Sequence, residues 1–163
     1  MCRIYDKYRE SLLVVAMALT GNLTEAEDIL HDVFLSFARG LDTFKLTGKL
    51  KAYLAVCVVN QTRNHVKRMN CRQTVDLDQA EMCVTSKPGP LTTAVANEQL
   101  RLISEAMIGL PMEQRSMIVL HLRAGLSLSE IAKQLKLPVA TAKSRYRYGI
   151  AKLRSAVEKE VTS

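Results

Sequence analysis

Thr141, Lys143, Ser144, Arg145, Arg147 and Tyr148 fall close together near the end of this chain, offering hydroxyls, an ammonium and two guanidiniums. Short polar and forked cationic side chains of this kind can bond base edges and phosphates in a major groove. On a helix, Thr141, Ser144 and Tyr148 share one face, with Arg145, Arg147 and Lys152 flanking it. Val139, Ala142, Tyr146, Ile150 and Leu153 then form the inward face. The bland alternative is a solvated basic helix on an ordinary bundle. What precedes the helix weighs against that alternative.

Ser127 and Glu130 are spaced as a capping box, each side chain meeting a backbone donor at a helix start. Leu128, Ile131, Ala132 and Leu135 follow at i, i+3, i+4 and i+7, the buried stripe of a short helix. Lys136-Leu137-Pro138 breaks that helix, and Pro138 suits the first turn of the next one. The pattern is a helix-turn-helix, which points to nucleic-acid binding.

A second set of groups suited to nucleic acid lies mid-chain. Asn60, Arg63, Asn64 and Lys67 put amides and cations on one helix, types that can hold an unstacked base and its backbone. Tyr53 on the same helix is read as a core residue. Further upstream, Asp28 and Asp32 stand at i and i+4 beside Leu30 and Phe34. That acidic helix is either a docking face or an amphipathic helix whose acids favour its N-terminus.

Catalysis finds no comparable set. His31, His65 and His121 are scattered, and there is no glycine-rich phosphate loop or metal motif. Cys2, Cys57, Cys71 and Cys83 form no CxxC pair. Cys57 reads as a small core residue; Cys71 and Cys83 flank a loop and read as reduced thiols, a redox pair being the alternative. No enzyme activity, metal or cofactor is expected.

The bulk composition agrees. In 163 residues, 48% are hydrophobic but only 5% aromatic, with no Trp, which suits small helical units better than a large sheet. Apolar runs such as 12–19 are far shorter than a membrane span, and no charged-then-apolar leader opens the chain, so a cytoplasmic protein is expected. Net charge is +7, and most of it lies late: residues 99–163 carry eleven Lys/Arg against five Asp/Glu. Between Lys136 and Arg154 there are six basic residues and no acid, an excess that attracts phosphate.

The elements that must position these groups are all helical. A first helix runs from about Cys2 to Leu19, with Tyr5, Tyr8, Leu12, Val15 and Leu19 on one face. Gly21-Asn22 turns the chain, and Thr24 with Glu27 is expected to cap a second helix through Ile29, Leu30, Val33, Phe34 and Phe37, ending near Gly40. A loop over 41–48 precedes a long helix from about Lys49 to Met69, buried at Leu50, Tyr53, Leu54, Cys57, Val58 and Val66. Periodicity fails between 70 and 93, where Ser86-Lys87-Pro88-Gly89-Pro90 reads as a flexible linker. A helix through Val95, Leu100, Ile103 and Met107 follows. Pro111 opens another, with Met117, Ile118, Leu120 and Leu122 inward and Gly125 at its end.

In this order the motifs resemble the bacterial sigma factors of the extracytoplasmic-function class. Ala26-Glu27-Asp28-Ile29-Leu30-His31-Asp32-Val33-Phe34 is similar to that family's polymerase-docking helix. Leu41-Asp42-Thr43-Phe44, Lys51-Ala52-Tyr53-Leu54 and Val59-Asn60 resemble the segment that meets and opens the minus-ten element. Gly109-Leu110-Pro111-Met112-Glu113-Gln114-Arg115 and the helix-turn-helix resemble the region that reads the minus-thirty-five element. The chain departs from the family at Tyr148-Gly149, where Arg-Ala is usual, at Tyr53, where Trp is usual, and at Ala55 and Val56, often aromatic and basic.

The resemblance implies an all-α chain of two small helical domains joined by a linker: 1–69 for docking and the minus-ten element, 70–93 as linker, 94–163 for the minus-thirty-five element. It implies a transcription-initiation specificity subunit whose partners are core RNA polymerase, promoter DNA and an anti-sigma factor. Polymerase contacts are expected at Asp28, Leu30, His31, Asp32 and Phe34. Minus-ten contacts are expected at Asn60, Arg63, Asn64 and Lys67, and minus-thirty-five contacts at Thr141, Lys143, Ser144, Arg145, Arg147 and Tyr148. The alternative is a sigma-like interaction protein that binds polymerase or an anti-sigma partner without initiating transcription.

Overall fold

Left-handed backbone at Gly21 (φ 72°) ends the first helix and delivers Asn22, in extended conformation, to the start of the second. The computed structural model in which this is seen describes residues 2–41, 49–73 and 96–162. Asn22 Oδ1 accepts from the N–H groups of Thr24 (2.9 Å) and Glu25 (3.3 Å), satisfying two donors of the first turn. The expected Thr24–Glu27 capping box is therefore displaced. The turn brings Asn22 into place first, and once the helix begins at Leu23 the Thr24 N–H is already committed.

The described residues form seven helices: α1 (Cys2–Thr20), α2 (Leu23–Arg39), α3 (Leu50–Gln73), α4 (Ala96–Ile108), α5 (Met112–Leu122), α6 (Leu128–Gln134) and α7 (Val139–Thr162). The described residues are all-α, as expected. α3 continues four residues past Met69, into the stretch assigned to the linker; residues 74–95, with the breaker cluster and Cys83, lie outside the described residues.

α1, α2 and α3 pack around Leu12, Val15, Leu19, Ile29, Leu30, Phe34, Phe37, Leu54 and Val58. α3 is covered more widely than one stripe: Ala52, Ala55, Val56, Val59 and Thr62 are also buried, because α5 packs on it as well as α1 and α2. Thr62 Oγ1 donates to the Val58 carbonyl at 2.8 Å, which lets a hydroxyl sit in this core. The expected burial of Tyr53 and Val66 is not found. Both are exposed.

α5 is the hub of the second half. Ser116, Met117, Ile118, Val119 and Leu120 are buried in succession, more than a full turn, so the helix needs cover all round. α6 and α7 supply it, together with α1 and α3. Leu122, expected inside, is exposed at the end of α5, where the chain is already turning through Arg123 and Gly125 (φ 68°).

Candidate nucleic-acid interface

The helix-turn-helix forms as its residues specify. Ser127 Oγ accepts from the Glu130 N–H at 3.2 Å, and Glu130 Oε2 accepts from the Ser127 N–H at 2.7 Å. Glu130's carboxyl is held below its usual range, first by the Ser127 side chain, then by the Ser127 backbone N–H, with a smaller contribution from Lys49. After α6 the backbone goes left-handed at Lys136 (φ 53°), and the Leu137 N–H returns to the Ala132 carbonyl at 2.8 Å. Pro138 then precedes α7, its carbonyl accepting from the Ala142 N–H.

Two contacts fix the angle of α7. His121 Nδ1 is 2.7 Å from the Leu126 carbonyl, to which it must donate, and its ring meets Tyr146 edge-on at 5.0 Å between centroids. Gly149 is buried against α5, where an added Cβ would stand 3.0 Å from Ile118 Cδ1 and 3.2 Å from Gln114 Cβ. The departure from Ala at this position thus has a packing reason.

On the outer side of α7, Lys143, Arg147 and Tyr148 are exposed, whereas Thr141, Ser144 and Arg145 are half-buried. Ser144 Oγ donates to the Thr141 carbonyl at 3.0 Å, leaving its lone pairs to accept. The Arg147 guanidinium lies 5.4 Å from the Tyr148 ring centroid, a cation–π pair with the ring 56% exposed. Val139, expected inside, is exposed at the leading tip of the helix, while Ala142 is fully buried.

On α3, Asn60, Asn64 and Lys67 are exposed and Arg63 is half-buried, spaced i, i+4, i+7 and i+3 along one flank. Tyr53 is two turns before Asn60 on the same flank and 37% exposed, its ring 6.3 Å from Phe37. The ring therefore braces the core edge and also faces water beside the amides, so the core-only reading is corrected. Burial pushes up the pKa of Tyr53 and of Cys57, which lies one turn on; a half-buried thiol of this kind is a packing residue and a poor nucleophile.

The acidic helix divides in two. Asp28, His31 and Asp32 are exposed on α2, and Asp32 Oδ2 accepts from Gln61 Nε2 of α3 at 3.1 Å. Leu30 and Phe34, expected beside them, are only 2% and 5% exposed, and Phe34 packs edge-on against Tyr5. They belong to the 29-30-33-34-37 stripe that builds the core, so they hold the helix and leave its outer face to others. Leu35, 42% exposed and one turn after Asp32 and His31, is the apolar group actually presented there. It could have been found in the sequence, because that stripe already fills the inward face and leaves Leu35 outside it.

No described helix is long and apolar enough to cross a membrane, and no metal-binding cluster occurs among the described residues. Comparison with known proteins gives one consistent answer. Residues 4–70 match the family profile Sigma-70 region 2, and residues 106–155 match Sigma-70, region 4. The chain belongs to the extracytoplasmic-function sigma factors. It is 28% identical over 159 residues to the ECF RNA polymerase sigma factor SigW of Bacillus subtilis, covering 93% of this chain and 85% of SigW. It is 26% identical over 151 residues to SigM of Mycobacterium tuberculosis, covering 93% of this chain and 74% of SigM. Among solved structures, the sigma factor RpoE in complex with the anti-sigma factor NepR from Bartonella quintana has the same fold, with a TM-score of 0.77 and 20% identity over 96% of this chain and 95% of RpoE. As a sigma factor the protein binds RNA polymerase and directs it to promoter DNA for transcription initiation.

Proposed function

We propose a division of this sigma factor's work among its helices. α1 to α3, with residues 1–69 as their core, dock on polymerase and meet the minus-ten element. Residues 94–163 read the minus-thirty-five element, and residues 70–93 join the two. Asp28, His31 and Asp32 contact polymerase, with Leu35 taking the apolar role first expected of Leu30 and Phe34. Asn60, Arg63, Asn64 and Lys67 receive the opened strand, and Tyr53 offers a ring beside them. Thr141, Lys143, Ser144, Arg145, Arg147 and Tyr148 enter the upstream major groove.

The observation that carries this reading is the α3 flank. Asn60, Asn64 and Lys67 stand in solvent with the Tyr53 ring two turns away, a composition matching what an unstacked base and its phosphates require. The protein supplies no reacting group of its own, and polymerase performs the chemistry. It works in the cytoplasm. Its likeness to RpoE, solved with NepR, supports an anti-sigma factor as a further partner.

Footprinting of the holoenzyme on a responsive promoter tests the division. Arg145→Ala with Arg147→Ala is expected to remove upstream protection while leaving permanganate reactivity of the melted bases. Asn60→Ala with Asn64→Ala is expected to do the reverse. Equal loss at both ends from either pair would refute it.

A further inference from the structure

Tyr146 and Tyr148 stand two residues apart on α7, about 200° around the helix from one another. Tyr146 is half-buried, its ring edge-on to His121. Tyr148 is turned outward and is 56% exposed, with the Arg147 guanidinium 5.4 Å from its ring centroid. Its neighbours along the helix, Ser144 at i−4 and Ala151 at i+3, are too short to cover the ring.

The ring is held in place from two sides. Gly149, next in sequence, is buried against α5, where a Cβ would stand 3.0 Å from Ile118 Cδ1. So close a seat limits rolling of α7 about its axis, and rolling is what would carry Tyr148 away from its outward direction. The Arg147 cation restricts the ring further. A tyrosine has only two side-chain torsions to fix, so it offers a large contact at a small ordering cost.

A single exposed apolar side chain needs no explanation by itself. This one lies in a charged setting, because residues 136–154 carry six basic side chains and no acid. It also shares the outer face of α7 with Thr141 and Ser144. Duplex DNA fits that combination. Its phosphates take the cations, and its major groove exposes one apolar group, the C5-methyl of thymine.

We propose that Tyr148 reads a thymine of the upstream element through the 5-methyl group, by apolar contact with the ring, and that Arg147 holds the ring for that contact. The inference rests on the proposed placement of α7 in the upstream major groove, and it names the base group recognised there. The methyl distinguishes thymine from the other three bases, so one contact fixes both an A·T pair and its orientation.

Holoenzyme binding to a promoter duplex whose upstream thymines are replaced singly by deoxyuridine tests this, since the exchange removes the methyl and preserves pairing. Wild-type protein should bind about four-fold more weakly when one particular thymine is replaced, the effect of losing one buried methyl-sized group. Tyr148→Phe should keep that loss, because the hydroxyl takes no part. Tyr148→Ala should bind the unmodified duplex more weakly and be indifferent to the exchange. At an exposed position it should fold as the wild type does, which circular dichroism checks. Absence of any methyl-sensitive thymine in the wild type would overturn the inference whatever the variants do, and so would the same sensitivity in folded Tyr148→Ala. Failure of the underlying placement looks different: Arg145→Ala with Arg147→Ala would leave upstream protection intact, and the inference would fall with it.

Discussion

Gly149 and Ile118 are in such close register that a Cβ on the glycine would lie 3.0 Å from Ile118 Cδ1. Replacing a helical Gly by Ala normally stabilises by about 1 kcal/mol. Here the gain meets Gln114 Cβ at 3.2 Å as well, and that atom cannot swing aside as the tip of Ile118 can. Gly149→Ala is therefore expected to leave the melting temperature unchanged or lower. Gly149→Leu should destabilise by about 1–3 kcal/mol, the usual effect of overpacking. A clear rise in melting temperature for Gly149→Ala would show that α5 and α7 are not so closely apposed.

The two faces of α2 should separate cleanly by mutation. Leu30→Ala empties a buried site and is expected to cost about 2–5 kcal/mol of folding stability. Asp32→Ala and Leu35→Ala, both at exposed positions, should leave stability within about 0.5 kcal/mol yet weaken binding to core polymerase. Denaturant titration and a polymerase pull-down measure the two effects. Loss of polymerase binding only in step with loss of stability would argue against the proposed docking face.

These two α2 faces show what sequence can and cannot disclose. Helix existence, the helix-turn-helix and its Ser127–Glu130 box were legible because periodicity and capping are local. Leu30 and Phe34 read as a docking surface from their acidic neighbours alone, because an apolar residue beside an acid looks the same whether it faces core or solvent; their burial with Ile29, Val33 and Phe37 puts them in the core. The capping role of Asn22 is hidden in the sequence because it depends on the left-handed Gly21 before it. On α3 the periodicity points inward at Tyr53 and Val66, which are exposed, and does not mark Ala52, Ala55, Val56, Val59 and Thr62, which are buried. The reason is non-local: α5 covers that second flank, and no pattern within α3 announces a helix about sixty residues away.

The capping box makes part of the stability dependent on pH. Glu130's carboxyl is depressed in the folded state, chiefly by Ser127. Such a group stabilises the fold above its unfolded value, about 4.3 for Glu, and that contribution is lost as pH falls through the lower folded value. Ser127→Ala should cost about 1 kcal/mol near neutral pH, as the loss of an N-cap does. The stability gap between wild type and Ser127→Ala should narrow as pH drops below the ordinary carboxylate range. A gap that is constant from neutral to strongly acid pH would contradict the assigned partner of Glu130.

The basic residues of α7 should differ in kind. If Arg145 or Arg147 makes a bidentate guanine contact, its replacement by Ala costs about 1–3 kcal/mol and relaxes preference at one base pair. If it meets a phosphate, affinity falls evenly across sequences and the salt dependence flattens by about one ion. Tyr148→Ala removes the ring beside Arg147 and should shift which of these Arg147 does. Binding measured over a salt series on a library of upstream elements separates the cases. Indifference to all three substitutions would remove α7 from the DNA interface.

The central claim, that this chain directs polymerase to promoters, is tested most directly by run-off transcription with purified core enzyme and a promoter library. Transcripts are expected that require the chain, start at a defined distance from shared upstream and downstream elements, and disappear with Arg145→Ala combined with Arg147→Ala. Stable binding of the folded chain to core polymerase without any promoter-dependent transcript would contradict it.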